Sequence, residues 1–364
     1  MEIKRLLSLD AFRGITIAAM ILVNYPGSWR NVYDPLLHAE WNGITPTDLI
    51  YPFFLFIVGV SIAFAYTKRL NAGTPIKDIY IKLVSRALKI YAVGLFLNLF
   101  PDFDFSDLRY TGVLQRIAVV FLFSGLLFLR TSWKTQAIVG IAILIGYWLA
   151  MTLIPTPGFE KPMLEPGQNL AAWADAKWLP GKMWQGTWDP EGILSTLPAI
   201  VTTITGMLTG KFLLSEKSWE QKVIYLFIAG FLLTITGSVW GWTFPLNKNL
   251  WTSSYVLYTS GLALMTFGTM IYLVDVLDYK KGTKFGIIYG SNAITVYVLA
   301  GILAFIFYDM KIGGESLNRY FFDFFTINAG FAPKLVSLLY ALIYVGINYI
   351  PASILYRKKI FIKL

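Results

Sequence analysis

Long apolar runs separated by short polar intervals dominate the chain of 364 residues. A run of about 17 to 25 predominantly apolar residues spans a bilayer as a helix, because a helix satisfies its own backbone polar groups where no water is present. Ten such spans are predicted, over residues 9–26, 48–67, 83–100, 111–129, 135–154, 193–214, 222–242, 252–275, 285–308 and 333–356. Most are mildly polar, as helices lining a cavity should be. The pattern predicts an all-α polytopic membrane protein: about ten transmembrane helices around a central cavity, in one integral membrane domain over residues 1–364.

Charge then orients the spans. Lys4 and Arg5, Lys68 to Lys89, Arg130 and Lys134, Lys217 and Lys222, Lys280 to Lys284, and Arg357-Lys358-Lys359 all fall on one side of a ten-span path. That side carries about 21 of the 31 basic residues and about 7 of the 21 acidic ones, so the excess of Lys and Arg makes it cytoplasmic, with both termini inside. The opposite side carries Asp102, Asp104 and Asp107, and a segment over 155–192 rich in Pro, Gly and Trp. Its aromatic content predicts an ordered extracytoplasmic cap rather than a linker.

Composition supports this frame. Hydrophobic residues make up 56% of the chain against 14% charged, with mean hydropathy +0.59, well beyond what one soluble core needs. The net charge of +10 is accounted for by the membrane's charge asymmetry, so no nucleic-acid partner is implied. The absence of cysteine excludes disulfides, thiolate metal sites and a cysteine nucleophile. A single histidine argues against a histidine-rich metal site. The basic start resembles a signal peptide, but Asp10 and Arg13 interrupt it and no small-residue cleavage site follows Val23, so it is kept as a retained first span.

Ionisable and amide groups within spans mark a cavity or a partner, since a charge at the helix centre costs about 2.5 to 3.5 kcal/mol on insertion scales. Asp10 and Arg13 lie three apart on one helical face, which fits an ion pair. Arg13 with Arg86 and Lys89 also fits a cationic mouth for a phosphorylated ligand. Gln115 and Arg116 lie just inside span four. Arg116 either snorkels to the interface, pairs with Asp189 or Glu191, or lines a site. Asp189-Pro190-Glu191-Gly192 reads as a turn feeding span six, with two carboxylates suited to a hydroxylated or amino sugar. Asn24, Asn98 and Asn292 need partners if buried.

The stretch from Asn24 to Pro52 holds His38, the only histidine, between two spans and on the extracytoplasmic side. An interfacial histidine on a short loop helix is the structural alternative. Its neighbours favour chemistry: Asn24 ends span one 14 residues earlier, and Asp48 caps span two ten residues later. The spacing permits a base, an amide and a carboxylate to converge on one membrane surface. In that arrangement Asp48 fixes the imidazole tautomer, Asn24 holds a carbonyl oxygen and His38 takes a proton.

These residues carry a resemblance. The order Ser8-Leu9-Asp10-Ala11-Phe12-Arg13-Gly14, Val23-Asn24-Tyr25, and His38-Ala39-Glu40-Trp41-Asn42-Gly43 with Asp48 and Pro52 resembles the heparan-alpha-glucosaminide N-acetyltransferase family and its bacterial relatives. Further blocks agree: Gly112 to Arg116, Asp189 to Leu194, Asn247 to Tyr255 and Ser291 to Ile294. The resemblance implies acetyl transfer across the membrane, from cytoplasmic acetyl-CoA to a glucosamine amine outside. It assigns catalysis to His38 with Asn24, and the spacing adds Asp48 to them. Asp10, Arg13, Arg86, Lys89 and Asn292 are expected to hold the CoA co-substrate, and Trp41, Asn42, Gln115, Arg116, Asp189 and Glu191 the sugar. His38 acts either as general base in a direct transfer or as a transient acetyl carrier. Direct attack is favoured, since a free amine needs mainly proton removal and orientation to open a thioester. The expected setting is multi-pass in a bacterial inner membrane, without the extra luminal domain and leading helix of the lysosomal enzyme. The acceptor is then a glucosamine unit of wall, capsule or scavenged glycan. Oligomeric state stays open, a homodimer included. The competing function is a sugar transporter or flippase in which Arg116, Asp189 and Glu191 line a path and His38 relays protons.

Overall fold

A computed structural model describes residues 6–362; Lys4 and Arg5, part of the basic side, lie outside the described residues. The described residues are predominantly α-helical, as the apolar pattern requires. Among the described residues, eight helices are long and apolar enough to cross a membrane: α1 (Leu7–Asn24), α2 (Pro46–Asn71), α4 (Val113–Arg130), α5 (Trp133–Leu153), α7 (Ile193–Leu213), α8 (Trp219–Trp240), α9 (Ser253–Ile271, continued by a π-turn to Val276) and α13 (Pro333–Arg357). The protein is an integral, multi-pass membrane protein.

Two of the ten expected spans differ from that pattern. The run at 83–100 falls on α3 (Ile76–Leu99), which Phe100 ends as C-cap; α3 is long enough to span but carries Lys82, Arg86 and Lys89. The run at 285–308 is not one straight helix. It divides into α10 (Thr283–Ser291) and α11 (Ala293–Ala304, continued by a π-turn to Asp309), bent by 81° at Asn292. Two shorter helices complete the order: α6 (Leu170–Trp178) in the loop segment after α5, and α12 (Leu317–Asp323) beyond a two-stranded hairpin pairing Lys311 with Ser316.

By their internal contacts the described residues form two compact units. The first comprises Glu40–Ile44 and Pro52–Leu277. Its axis is α7, which packs on α4, α5 and α9 and is buried on almost every side. Close approach makes this possible: a Cβ at Gly206 of α7 would collide with the backbone carbonyl of Phe56 in α2, so only glycine fits the crossing. By contrast α5 and α8 bury few of their side chains and present apolar surface outward, as lipid-facing helices do. Beneath α6, Tyr147, Met151, Ala171, Phe244 and Leu250 form a compact core.

The second unit comprises Leu6–Ala39, Thr45–Tyr51 and the chain from Asp278 onward. Here α1 packs on α10, α11 and α13. Gly14 and Gly286 let α1 and α10 meet backbone to backbone, since a Cβ at Gly14 would overlap the Gly286 carbonyl. The start of α2 belongs to this unit and the remainder to the first, the division falling at Pro52. A proline inside a helix removes one i→i−4 bond, here the one to the Asp48 carbonyl.

Candidate functional site

The site around His38 is built by the start of α2. Thr45-Pro46-Thr47-Asp48 is a capping sequence: proline at the first helical position and an acid two residues on. The Asp48 Oδ2 atom accepts from Thr45 N at 3.0 Å and Thr45 Oγ1 at 3.1 Å, which closes the helix end, and also from Ala39 N at 3.0 Å. Its second oxygen, Oδ1, shares a hydrogen bond of 2.6 Å with His38 Nδ1. One carboxylate therefore serves the helix with one oxygen and the imidazole with the other. Thr45 Oγ1 also donates to Leu37 O at 2.6 Å, and Thr47 Oγ1 to Pro35 O at 3.1 Å, so the loop on both sides of His38 is tied to the same turn. Asp48 is 1% exposed at its side chain, His38 47%. A rigid buried acid thus holds an accessible imidazole.

Asn24 is the last residue of α1, in the same unit, and its amide makes no described bond to His38. The following residues are anchored to α13: Gly27 N donates to Ser337 O at 3.2 Å and Ser28 N to Ser337 Oγ at 3.1 Å. The Asp10–Arg13 ion pair forms at 3.1 Å, and Arg13 also reaches Gly290 O at 3.4 Å. Asn292 is buried at the break between α10 and α11. Arg86 and Lys89 belong to the other unit, exposed on α3, with Arg86 over the Phe121 ring at 5.1 Å.

The expected sugar-side residues collect in the first unit. Trp41 donates to Leu164 O at 3.0 Å and meets Trp188 edge-on at 5.3 Å, Asn42 accepts from Asn247 Nδ2 at 3.2 Å, and Gly43 N donates to Leu246 O at 2.8 Å. Asn247 in turn braces the turn into α9 through Leu250 N at 2.8 Å. Arg116 is 2% exposed. Its Nη2 donates to Ser195 Oγ at 2.5 Å and Gly192 O at 3.3 Å, its guanidinium stacks over Trp251 at 5.3 Å, and its Nε and Nη1 make no bond. Gln115 beside it is buried with an unpartnered Nε2.

The pairing of Arg116 with Asp189 or Glu191, one of the three alternatives for Arg116, does not occur. Arg109 takes both: its Nε and Nη2 grip Asp189 at 2.7 Å each, and Nη2 reaches Glu191 at 2.7 Å. Trp184 N and Glu191 N complete the shell of Asp189, and Arg109 lies over the Trp184 ring at 5.2 Å. Burial alone would raise the Asp189 carboxyl, but the bonds and charge of Arg109 outweigh it and hold the group below its ordinary range. The same carboxylates keep Arg109 protonated beyond its ordinary range against the opposing effect of burial. Arg109 was absent from the expected residues; a lone cation in the acidic loop 101–111 was its one signal.

A second residue absent from that set is Asp175 of α6. It accepts from Ile193 N at 2.8 Å and Asp189 N at 3.3 Å, closing the start of α7. Burial pushes its carboxyl up to about 6, against the backbone bonds that favour the charged form.

Comparison with known proteins bears on this geometry. A family profile described as "Heparan-alpha-glucosaminide N-acetyltransferase, catalytic" matches residues 5–223. Heparan-alpha-glucosaminide N-acetyltransferase of Homo sapiens is 29% identical over 99% of this chain and 60% of its own length. The same protein of Mus musculus is 28% identical over the same shares. The chain thus spans about 60% of the length of these curated relatives.

Proposed function

Because the chain belongs to the heparan-alpha-glucosaminide N-acetyltransferase catalytic family, we propose that it transfers an acetyl group from acetyl-CoA to the amine of a glucosamine-type sugar. The observation that carries the chemistry is the His38–Asp48 pair at 2.6 Å. With Asp48 ionised and able only to accept, Nδ1–H of His38 donates to it, so Nε2 is the basic atom of the ring. The amine nitrogen bonds to the acetyl carbonyl carbon as the C–S bond breaks. Nε2 takes the amine proton and returns it to the departing thiolate, while Asp48 stabilises the imidazolium between those events. Asn24 is the donor for the carbonyl oxygen.

The sidedness follows from charge. Acetyl-CoA arrives from the basic, cytoplasmic side, and the sugar from the side bearing the acidic loops, in a bacterial inner membrane. Arg13, with its partner Asp10, and Arg86 and Lys89 are the phosphate-attracting residues at the basic helix ends. Trp41, Asn42, Gln115 and Arg116 are the sugar-facing residues, the last two because they retain unpartnered donors. Asp189 and Glu191 act on the sugar indirectly, by fixing the cap through Arg109.

Vesicles loaded with labelled acetyl-CoA and offered an external glucosamine acceptor test the reading. His38→Ala is expected to lower the appearance of acetylated sugar by about 10²- to 10⁴-fold, the range for removing a general base. Label transfer at the wild-type rate in that variant overturns the role of His38. The broken helix at Asn292 is a feature transporters share; sugar crossing intact vesicles without acetyl-CoA selects that function instead.

A further inference from the structure

Asn292 stands where α10 ends and α11 begins. An asparagine at a helix start ordinarily caps that helix with its side chain, and Asn292 does not. Its carboxamide instead pairs with the chain beyond α13: Nδ2 donates to Ile360 O at 2.9 Å, and Oδ1 accepts from Ile362 N at 2.8 Å. A single amide, 2% exposed, thus binds an extended backbone as a neighbouring strand would.

The segment gets there by a reversal. Lys359 adopts φ +55, a region that non-glycine residues enter only when their surroundings dictate it, and Ile360 N returns to Leu355 O at 2.9 Å. The side chains of Ile360, Phe361 and Ile362 remain 44%, 44% and 45% exposed. Backbone bonds to one buried amide, rather than burial of these apolar groups, hold the segment in place.

We infer that residues 360–362 are a displaceable plug on a site for an amide-bearing chain, and that, on the acetyl-CoA reading above, the pantetheine arm of the acyl donor replaces them. A buried carboxamide is costly without partners, so whatever displaces the plug must present a carbonyl and an N–H in the same order. Pantetheine does: across its β-alanine unit a carbonyl is followed by an amide N–H, one methylene farther on than across Phe361. Cations for the phosphates adjoin. Arg13 reaches Gly290 O, two residues from Asn292, and exposed Arg357, Lys358 and Lys359 lead directly into the plug. In this scheme the plug keeps Asn292 satisfied until CoA arrives, and competes with it.

The chain lacks cysteine, so Phe361→Cys in the full-length protein gives one site for a spin label and leaves both backbone bonds intact. Saturating CoA is expected to convert the label from an immobile to a mobile spectrum. In the same background Ile362→Pro, which removes the N–H bonded to Oδ1, is expected to give the mobile spectrum without CoA and to tighten CoA binding three- to tenfold by calorimetry. CoA that binds while the label stays immobile overturns the plug and leaves the transferase reading standing. Calorimetry showing no CoA binding to the unlabelled wild-type protein overturns both.

Discussion

Two acidic centres, His38–Asp48 and Arg109–Asp189–Glu191, use the same interaction to opposite ends. In the second, the Asp189 carboxylate is gripped by a guanidinium that cannot lose its charge and by two backbone amides. None of those donors exchanges a proton near neutrality, and the result is a fixed tie between the loop at Arg109 and the start of α7. In the first, the buried acid spends one oxygen on a helix end and the other on an imidazole that is half exposed. The difference teaches that an ion pair is read by what its partners can do and where they can be reached, since distance alone makes the two centres look alike.

Asp48→Asn breaks the comparison most sharply. The amide keeps an oxygen for Thr45 and Ala39 but offers N–H to Nδ1, which forces the proton onto Nε2 and removes the base. Acetyl transfer in loaded vesicles is expected to fall by about 10²- to 10⁴-fold, approaching His38→Ala, with the thermal midpoint shifting little. Arg109→Ala should do the reverse. It leaves buried Asp189 and partly buried Glu191 without their cation, a change expected to cost about 3 to 5 kcal/mol in denaturation of the solubilised protein. Its transfer rate per folded molecule should stay within an order of magnitude. Wild-type stability with Arg109→Ala would place that cluster outside the scaffold.

The smallest expected effect is a pH slope. Asp175 has its native carboxyl raised from 3.8 to about 6, so between those values the folded chain binds more protons than the unfolded one. Its contribution to stability therefore falls as pH rises through that window, by roughly 3 kcal/mol at most. Asp175→Asn keeps the acceptor for Ile193 N and should flatten this decline in a thermal titration from pH 4 to 7. Asp189 has the opposite sign: held low by Arg109, it stabilises above the ordinary carboxylate range and loses that effect as pH falls through its native value. An unchanged slope in Asp175→Asn would remove Asp175 from the account.

What was legible in the sequence was local or periodic. Spans with a full helix of apolar residues were visible because the bilayer imposes their length. Asp48 was legible as the cap of span two, and its reach to His38 follows from ten residues of loop. Arg109 and Asp189 lie 80 residues apart, and no periodicity links them, so Arg116, closer to the membrane-facing pattern, stood in for Arg109. The break at Asn292 was hidden for a related reason. The run at 285–308 is apolar and free of proline, and the partners of Asn292 lie about 70 residues further on.

The interleaving of the two units has a consequence for synthesis. The unit holding His38 closes only when α1 meets α10, and Gly14 and Gly286, whose backbones touch there, are separated by 272 residues of chain. At about 5 to 20 residues per second, α1 waits roughly 14 to 54 s in the membrane before its partner is made. The residues from Pro52 to Leu277 are complete by then. A ribosome that stops early therefore leaves a well-packed bundle whose histidine loop has no closed unit to sit in.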